Sequence, residues 1–184
     1  MDNNKKNFLM ESGSTILTVV VVVLLALLFM KFVAQRTDVE GESMMYTLHD
    51  GDALIADKLT YRFSDPKRFD IVIFPYAQDP DSYFIKRIIG LPGETVQIDY
   101  DGNIYINGEI LEEHYGAEVI QDPGRAAEPV TLGEDEYFVM GDNRNYSFDS
   151  REEAVGNIKK SDFIGKTVFR VFPFSSFGFI DKNK

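Results

Sequence analysis

The 184-residue sequence contains no cysteine and no tryptophan, and only two histidines. Without cysteine there are no disulfides, no thiolate metal sites and no cysteine nucleophile. That absence does not fix the compartment. The two histidines are poorly placed for a Ser/His/Asp triad: His49 lies among turn residues, and His114 sits beside Glu112, Glu113 and Tyr115. No histidine–carboxylate cluster has the spacing of a zinc site, and no metal or cofactor is called for. Positive charge is also scarce. Residues 1–34 carry three cations and two anions, which leaves 16 cations against 28 anions from totals of 19 and 30. So acidic a remainder argues against nucleic acid as a partner, and against charge-driven binding to an anionic surface. There is no internal repeat, low-complexity tract or long amphipathic helix.

What the chain does have is one long apolar run. Ile16 to Met30 is uncharged, and extending it to 12–34 adds only Lys31, near the end, where its stem can snorkel. About 20 helical residues span a bilayer core. The five consecutive valines do not argue against helix, because backbone in lipid must satisfy itself internally. Lys5 and Lys6 before the run also suit a cleaved leader. Cleavage after Ala34 would, however, put bulky Phe32 at position −3, and Gln35-Arg36-Thr37-Asp38 offers no better site. The expected layout is a tail over 1–11, an uncleaved anchor over 12–34 and one domain over 35–184. Charge leaves the orientation open, since Lys5 and Lys6 face Lys31 and Arg36.

The domain reads as mainly antiparallel β with short helical turns. Ala53–Lys58 is a candidate strand. Asp70–Pro75 has a buried-strand pattern stopped by proline, and Ala77–Ser82 follows as a loop. Tyr83–Gly90 is the next strand. Thr95–Asp99 and Asn103–Asn107 flank Asp101-Gly102 as a hairpin, and Asn107-Gly108 makes a second tight turn. Tyr115–Pro129 is polar and expected to be an exposed loop. Glu136–Met140 and Lys166–Pro173 complete the strands.

Three stretches carry candidate chemistry. Ser43 follows Gly41-Glu42 and precedes Met44, Met45 and Tyr46. Lys86 lies in an apolar strand, with Phe84 and Ile88 on its own face. Free lysine is only roughly 0.04% neutral at pH 7. Burial disfavours the charged form, and a neutral amine can take a proton from a serine hydroxyl. The plainer reading of Lys86 is a snorkelling edge lysine. In the third stretch, Gly141 to Arg151, Asp149 and Arg151 are spaced to pair, Asp142 can bond its own turn, and Ser147 is a hydroxyl able to orient an amine.

Taken together, these stretches resemble bacterial type I signal peptidases of the single-anchor form. Ser43-Met44-Met45-Tyr46-Thr47-Leu48 with Gly51-Asp52 is similar to the family's serine motif. Phe69–Phe74 is similar to its second strand, and Tyr83–Gly93 to its lysine motif. Gly141-Asp142-Asn143-Arg144 with Ser147, Asp149, Ser150 and Arg151 matches its last motif. The resemblance implies a membrane-bound endopeptidase that cleaves signal peptides from exported preproteins. In that reading Ser43 is the nucleophile, Lys86 the general base, Ser147 its orienter, and Asp142, Asp149 and Arg151 support. It also implies a catalytic domain on the outer face of a bacterial membrane. Met44, Met45, Tyr46, Phe84 and Ile88 are the candidate walls of a shallow substrate pocket. Two positions depart from the family pattern. Tyr46 stands where proline is usual, and Gly41 stands where some relatives have a serine hydroxyl beside the oxyanion. The alternatives are an impaired homologue serving as a membrane-anchored binding or scaffold module, and a cytoplasmic self-cleaving Ser–Lys repressor, which the apolar segment disfavours.

Overall fold

A computed structural model describes residues 3–116 and 118–180. Met1 and Asp2 of the expected tail, Ala117, and the last four residues lie outside the described residues. The chain begins with helix α1 (Asn3–Phe32), so the segment expected as a tail is helical from Asn3. Its stretch Gly13–Phe32 is long and apolar enough to cross a membrane, and none of it is buried against the rest of the protein. The helix ends two residues before the boundary drawn from hydropathy. Ala34 already belongs to strand β1 (Ala34–Asp38), and Lys58 N–H bonds the Val33 carbonyl across the junction.

The remaining elements are strand β2 (Ala53–Asp57), the short helix α2 (Thr60–Phe63), β3 (Ile71–Tyr76), β4 (Asp79–Gly90), β5 (Thr95–Ile98), β6 (Ile104–Ile106), β7 (Glu109–Ile110), β8 (Val130–Thr131), β9 (Glu136–Met140), β10 (Ile158–Lys159), β11 (Gly165–Phe172) and β12 (Gly178–Phe179). Every pairing among them is antiparallel. The large sheet runs β1-β2-β11-β3-β4-β9-β10 with β12 alongside β11, and the small sheet runs β7-β6-β5-β8. The mainly β class expected from the sequence is the observed one.

Alternation along β4 distributes its side chains among three cores. Ile85 packs with Val39, Met44, Leu48 and Leu54, whereas Ile88 packs with Val72, Phe74, Tyr137 and Val139. Ile89 joins the small sheet's core with Val96, Ile98, Phe138 and Met140. Asn107 and Gly108 take φ of 53° and 84°, the left-handed pair that a two-residue hairpin turn requires.

Three sequence expectations change. Pro75 does not stop β3, which continues to Tyr76. β11 pairs with β3 only at Val72 and Ile73, so one flank of β3 is unpaired where proline lacks its N–H. The expected loop at 77–82 is the tip of a hairpin, because β4 begins at Asp79. The segment 115–129 is not simply exposed. It forms a 3-10 turn over Gly124–Ala127 and buries Ile120 and Ala126 in the small sheet's core.

The partner change along β4 creates the opening. β3 flanks β4 along most of its length, but β9 joins only at Arg87 and beyond. From Asp79 to Lys86 the other edge of β4 carries no strand among the described residues. β9 ends at Met140, so the chain turns away just beside Lys86.

Gly90 marks the crossing from the large sheet to the small one. A Cβ there would stand 2.5 Å from Val96 Cγ2, 2.8 Å from Leu132 Cδ1 and 3.0 Å from Phe138 Cβ. Gly90→Ala is therefore expected to destabilise the domain by about 1–3 kcal/mol through overpacking. The check is a lower midpoint in denaturant-induced unfolding with an unchanged slope.

Candidate active site

Ser43 sits in a tight series of turns between β1 and β2. The loop is pinned at both sides: Val39, Met44 and Leu48 are buried in the core, and Val39 N–H bonds the Asp52 carbonyl at 2.8 Å. Met45 N–H bonds the Glu42 carbonyl at 3.0 Å, and Leu48 N–H bonds the Met44 carbonyl at 2.8 Å. The left-handed position in this turn falls on Tyr46, at φ 85°.

Lys86 is 3% exposed, and its Nζ donates to Ser43 Oγ at 2.7 Å and to the Ile85 carbonyl at 3.2 Å. The amine also lies 5.1 Å from the centre of the Phe84 ring. Loss of water pushes its pKa down to about 8, while the Asp149 and Asp142 carboxylates hold it from falling further and the Arg151 guanidinium assists the drop. The snorkelling alternative for Lys86 is excluded by this burial. A serine hydroxyl thus meets an amine that sheds its proton far more readily than free lysine does.

Arg87, the next residue, points to the other face and is wholly buried. Its Nε and Nη2 donate to Asp142 at 2.8 and 2.6 Å, its Nη1 donates to the Phe69 carbonyl at 2.9 Å, and its guanidinium stacks 3.6 Å from the Tyr115 ring centre. Thr47 Oγ1 donates to Asp142 Oδ2 at 2.5 Å. The carboxylate of Asp142 therefore serves Arg87 and Thr47, not its own turn as the sequence suggested. A buried guanidinium needs this pairing, because an unpaired buried charge costs several kcal/mol.

Asp149 and Arg151 do pair, through two contacts of 2.9 Å, and Asp149 also accepts the Gly141 N–H at 3.0 Å. Arg151 Nη2 further binds the Arg144 carbonyl at 2.6 Å, which closes the 141–151 segment on itself. This segment reaches Ser43 through Asn143, whose N–H donates to the Ser43 carbonyl at 3.0 Å and whose Nδ2 donates to the Glu42 carbonyl at 3.1 Å. Gly141 permits the approach, since a Cβ there would overlap Ser147 Oγ and the Ser43 carbonyl.

Ser147 stands beside Ser43 but does not reach Lys86. Its Oγ is buried and makes no hydrogen bond. An open groove of about 660 Å³ runs past Ser43 and Lys86 between residues 35–42 of the β1 side and residues 81–86 of β4, with Tyr146 and Phe148 at its rim. Of the five candidate walls, Met44 and Phe84 line this groove, whereas Met45, Tyr46 and Ile88 do not. Ile88 shares a face with Lys86 but is buried in a core with Val72, Phe74, Tyr137 and Val139, and Tyr46 turns outward, 44% exposed. Sequence reasoning missed Arg87, Thr47 and Asn143 as site-building residues. Arg87 showed only as a second cation beside Lys86 in a strand apolar on both faces, and Thr47 and Asn143 only as members of the matched motifs.

An amine base against a serine hydroxyl, at the floor of an extended groove, is the arrangement of a nucleophilic hydrolase. Comparison with known proteins agrees. Residues 12–172 match the family of signal peptidases, peptidase S26, and the chain belongs to that family. It is 37% identical to the probable signal peptidase I-2 of Synechocystis over 95% of this chain and 78% of that one. It is 41% identical to signal peptidase I of Bacillus licheniformis over 94% of this chain and 93% of that one. A crystal structure of a signal peptidase I from Enterococcus faecalis aligns at 36% identity and a TM-score of 0.47, covering 56% of this chain and 97% of that one.

Two expectations follow from the geometry. If the neutral amine is the working form, kcat/KM rises with pH along an acid limb centred near 8, because protonation below that value removes the base. An acid limb near the ordinary lysine value would contradict the burial of Lys86. Separately, Arg87→Met strands the Asp142 carboxylate and is expected to cost about 3–5 kcal/mol in unfolding free energy. Denaturant titration of the purified protein in detergent measures it, and a loss below 1 kcal/mol would show that the pair is dispensable.

Proposed function

We propose that this chain is a membrane-anchored serine endopeptidase that removes signal peptides from exported preproteins, working through Ser43 and Lys86. The observation that carries the reading is the 2.7 Å contact between a buried Lys86 amine and the Ser43 hydroxyl. Ser43 Oγ attacks the scissile carbonyl as Lys86 Nζ takes the hydroxyl proton. Collapse of the tetrahedral intermediate breaks the C–N bond, and Lys86 returns the proton to the leaving amine. Water, deprotonated by Lys86, then attacks the ester on Ser43; the C–Oγ bond breaks, Lys86 returns the proton to Ser43 Oγ, and the signal peptide is released. Asp142, Asp149 and Arg151 hold the surrounding backbone. The family match and the signal peptidase relatives support the same reading.

The groove fits an extended peptide. The edge of β4 opposite β3 is free from Asp79 to Lys86, and β1 is the outermost strand across from it. A strand laid against such an edge alternates its side chains, so positions −1 and −3 point into the enzyme and −2 points away. Met44 and Phe84 near Ser43 leave only shallow apolar space, which suits alanine. Helix α1 lies in the bilayer in this reading, with residues 35–184 on the extracytoplasmic face and the groove near the membrane surface where signal peptides end.

The test is cleavage of a preprotein by the purified full-length protein in detergent. Ser43→Ala and Lys86→Met each abolish turnover with the unfolding transition retained. Lys86→Arg also fails, because a guanidinium does not deprotonate. In a substrate scan, leucine at −1 is cut poorly while leucine at −2 is cut nearly as well as alanine. Turnover by either dyad variant, or efficient cleavage after leucine, would refute the mechanism or the pocket respectively. An inert wild-type protein would instead favour the scaffold alternative.

A further inference from the structure

We propose that Asn143 is a positioning residue that holds the Glu42–Ser43 peptide so that the Ser43 N–H faces the groove and receives the oxyanion. The inference rests on Ser43 being the nucleophile and extends that reading to a residue outside the dyad. A peptide unit is planar and trans, so its C=O and its N–H point in opposite directions. Asn143 Nδ2 donates to the Glu42 carbonyl at 3.1 Å. The N–H of that same peptide belongs to Ser43 and must therefore point away from Asn143. Asn143 is only 6% exposed and is not a wall of the groove, whereas Glu42 and Ser43 are. Away from Asn143 is thus the groove side.

Two further observations fix the arrangement. The next carbonyl, that of Ser43, is held by Asn143 N–H at 3.0 Å, so one residue grips the backbone on both sides of the nucleophile. Among the described residues, the Ser43 N–H has no acceptor, which leaves it available to a ligand. Met45 N–H also binds the Glu42 carbonyl, at 3.0 Å, but it belongs to the same turn and moves with it. Asn143 alone ties that carbonyl to a separate, rigid element. Its own position is set on both sides by Asp142 on Arg87 and by Arg144, whose Nε donates to the Gly141 carbonyl at 3.0 Å and whose Nη1 pairs with Glu113 at 2.7 Å. Released from Asn143, the peptide keeps only the turn bond from Met45 and flips more readily, which presents the Glu42 carbonyl oxygen where the N–H had been and repels an oxyanion.

The experiment compares Asn143→Ala with the wild-type protein in the detergent cleavage assay and in inhibition by two peptides that differ only in their last group. One ends in an alanine aldehyde. Ser43 Oγ adds to its carbon, the hydroxyl proton passes to Lys86, and the carbonyl oxygen becomes the oxyanion. The other ends in the matching alcohol, which forms no adduct. Asn143→Ala is expected to lower kcat by roughly tenfold to a hundredfold, less than the roughly hundredfold to thousandfold loss on removing one oxyanion donor because the donor is loosened and not deleted, with KM changed by less than about twofold. The aldehyde weakens by a similar factor and the alcohol does not. The acid limb stays near 8, because the dyad itself is untouched. Asn143→Asp, nearly the same size, sets an acceptor against the Glu42 carbonyl and should lose more than alanine does, which keeps the test open if the alanine variant unfolds. Unchanged kcat, equal losses for aldehyde and alcohol, or a displaced acid limb would overturn the inference. If Ser43→Ala were to retain activity, the dyad reading would fall instead, so the two failures are distinguishable.

Discussion

Arg87 cannot shed its proton, and it is wholly buried. That single constraint organises the site. Its neighbour Lys86, equally enclosed, lessens the cost of a buried charge by giving up its proton more easily, with a pKa pushed down to about 8 by loss of water. A guanidinium has no such option and must be met by an anion. Asp142 supplies it from 55 residues further along the chain, and Thr47 joins from the serine loop. One ion pair thus gathers three separate segments: the strand that carries Lys86, the loop that carries Ser43, and the segment that grips the backbone of Ser43 through Asn143. Two adjacent cations, buried on opposite faces of one strand, are handled in opposite ways, and the difference between them is the chemistry.

What the sequence made legible was local. Period-two alternation placed Lys86 in a strand, paired turn residues located the hairpins of the small sheet, and an uncharged run marked α1. What it left hidden was depth and long-range pairing. Alternation says that Phe84, Lys86 and Ile88 share a face, but not that pairing with β9 starts only at Arg87 and sets Ile88 beside Val139 in a buried core. The groove exists because one strand stops at Met140, and no stretch of sequence records where a neighbour in space ends. Asp142 read as a turn carboxylate for the same reason, since its partner is remote. The polar composition of 115–129 concealed two apolar anchors, Ile120 and Ala126, which suffice to draw the segment onto the core.

The junction between helix and sheet is also part of the site. Only Val33 separates α1 from β1, and β1 forms one side of the groove. The backbone bond from Lys58 to Val33 ties β2 to the same point. There is no slack of the kind a glycine- or serine-rich linker gives, so the distance from the end of the apolar helix to Ser43 is set by folded structure.

A free strand edge attracts any extended chain, another copy of the same protein included. The groove's two sides carry exposed acids: Asp38, Glu40 and Glu42 on one, Asp81 on the other. Two copies brought edge to edge would set these acids against each other, with Arg36 already held by Asp38 at 2.9 Å and Lys86 recessed. A peptide segment of small uncharged residues meets no such repulsion. The acids at this edge thus weigh against self-pairing, while the same backbone groups stay open to an uncharged strand.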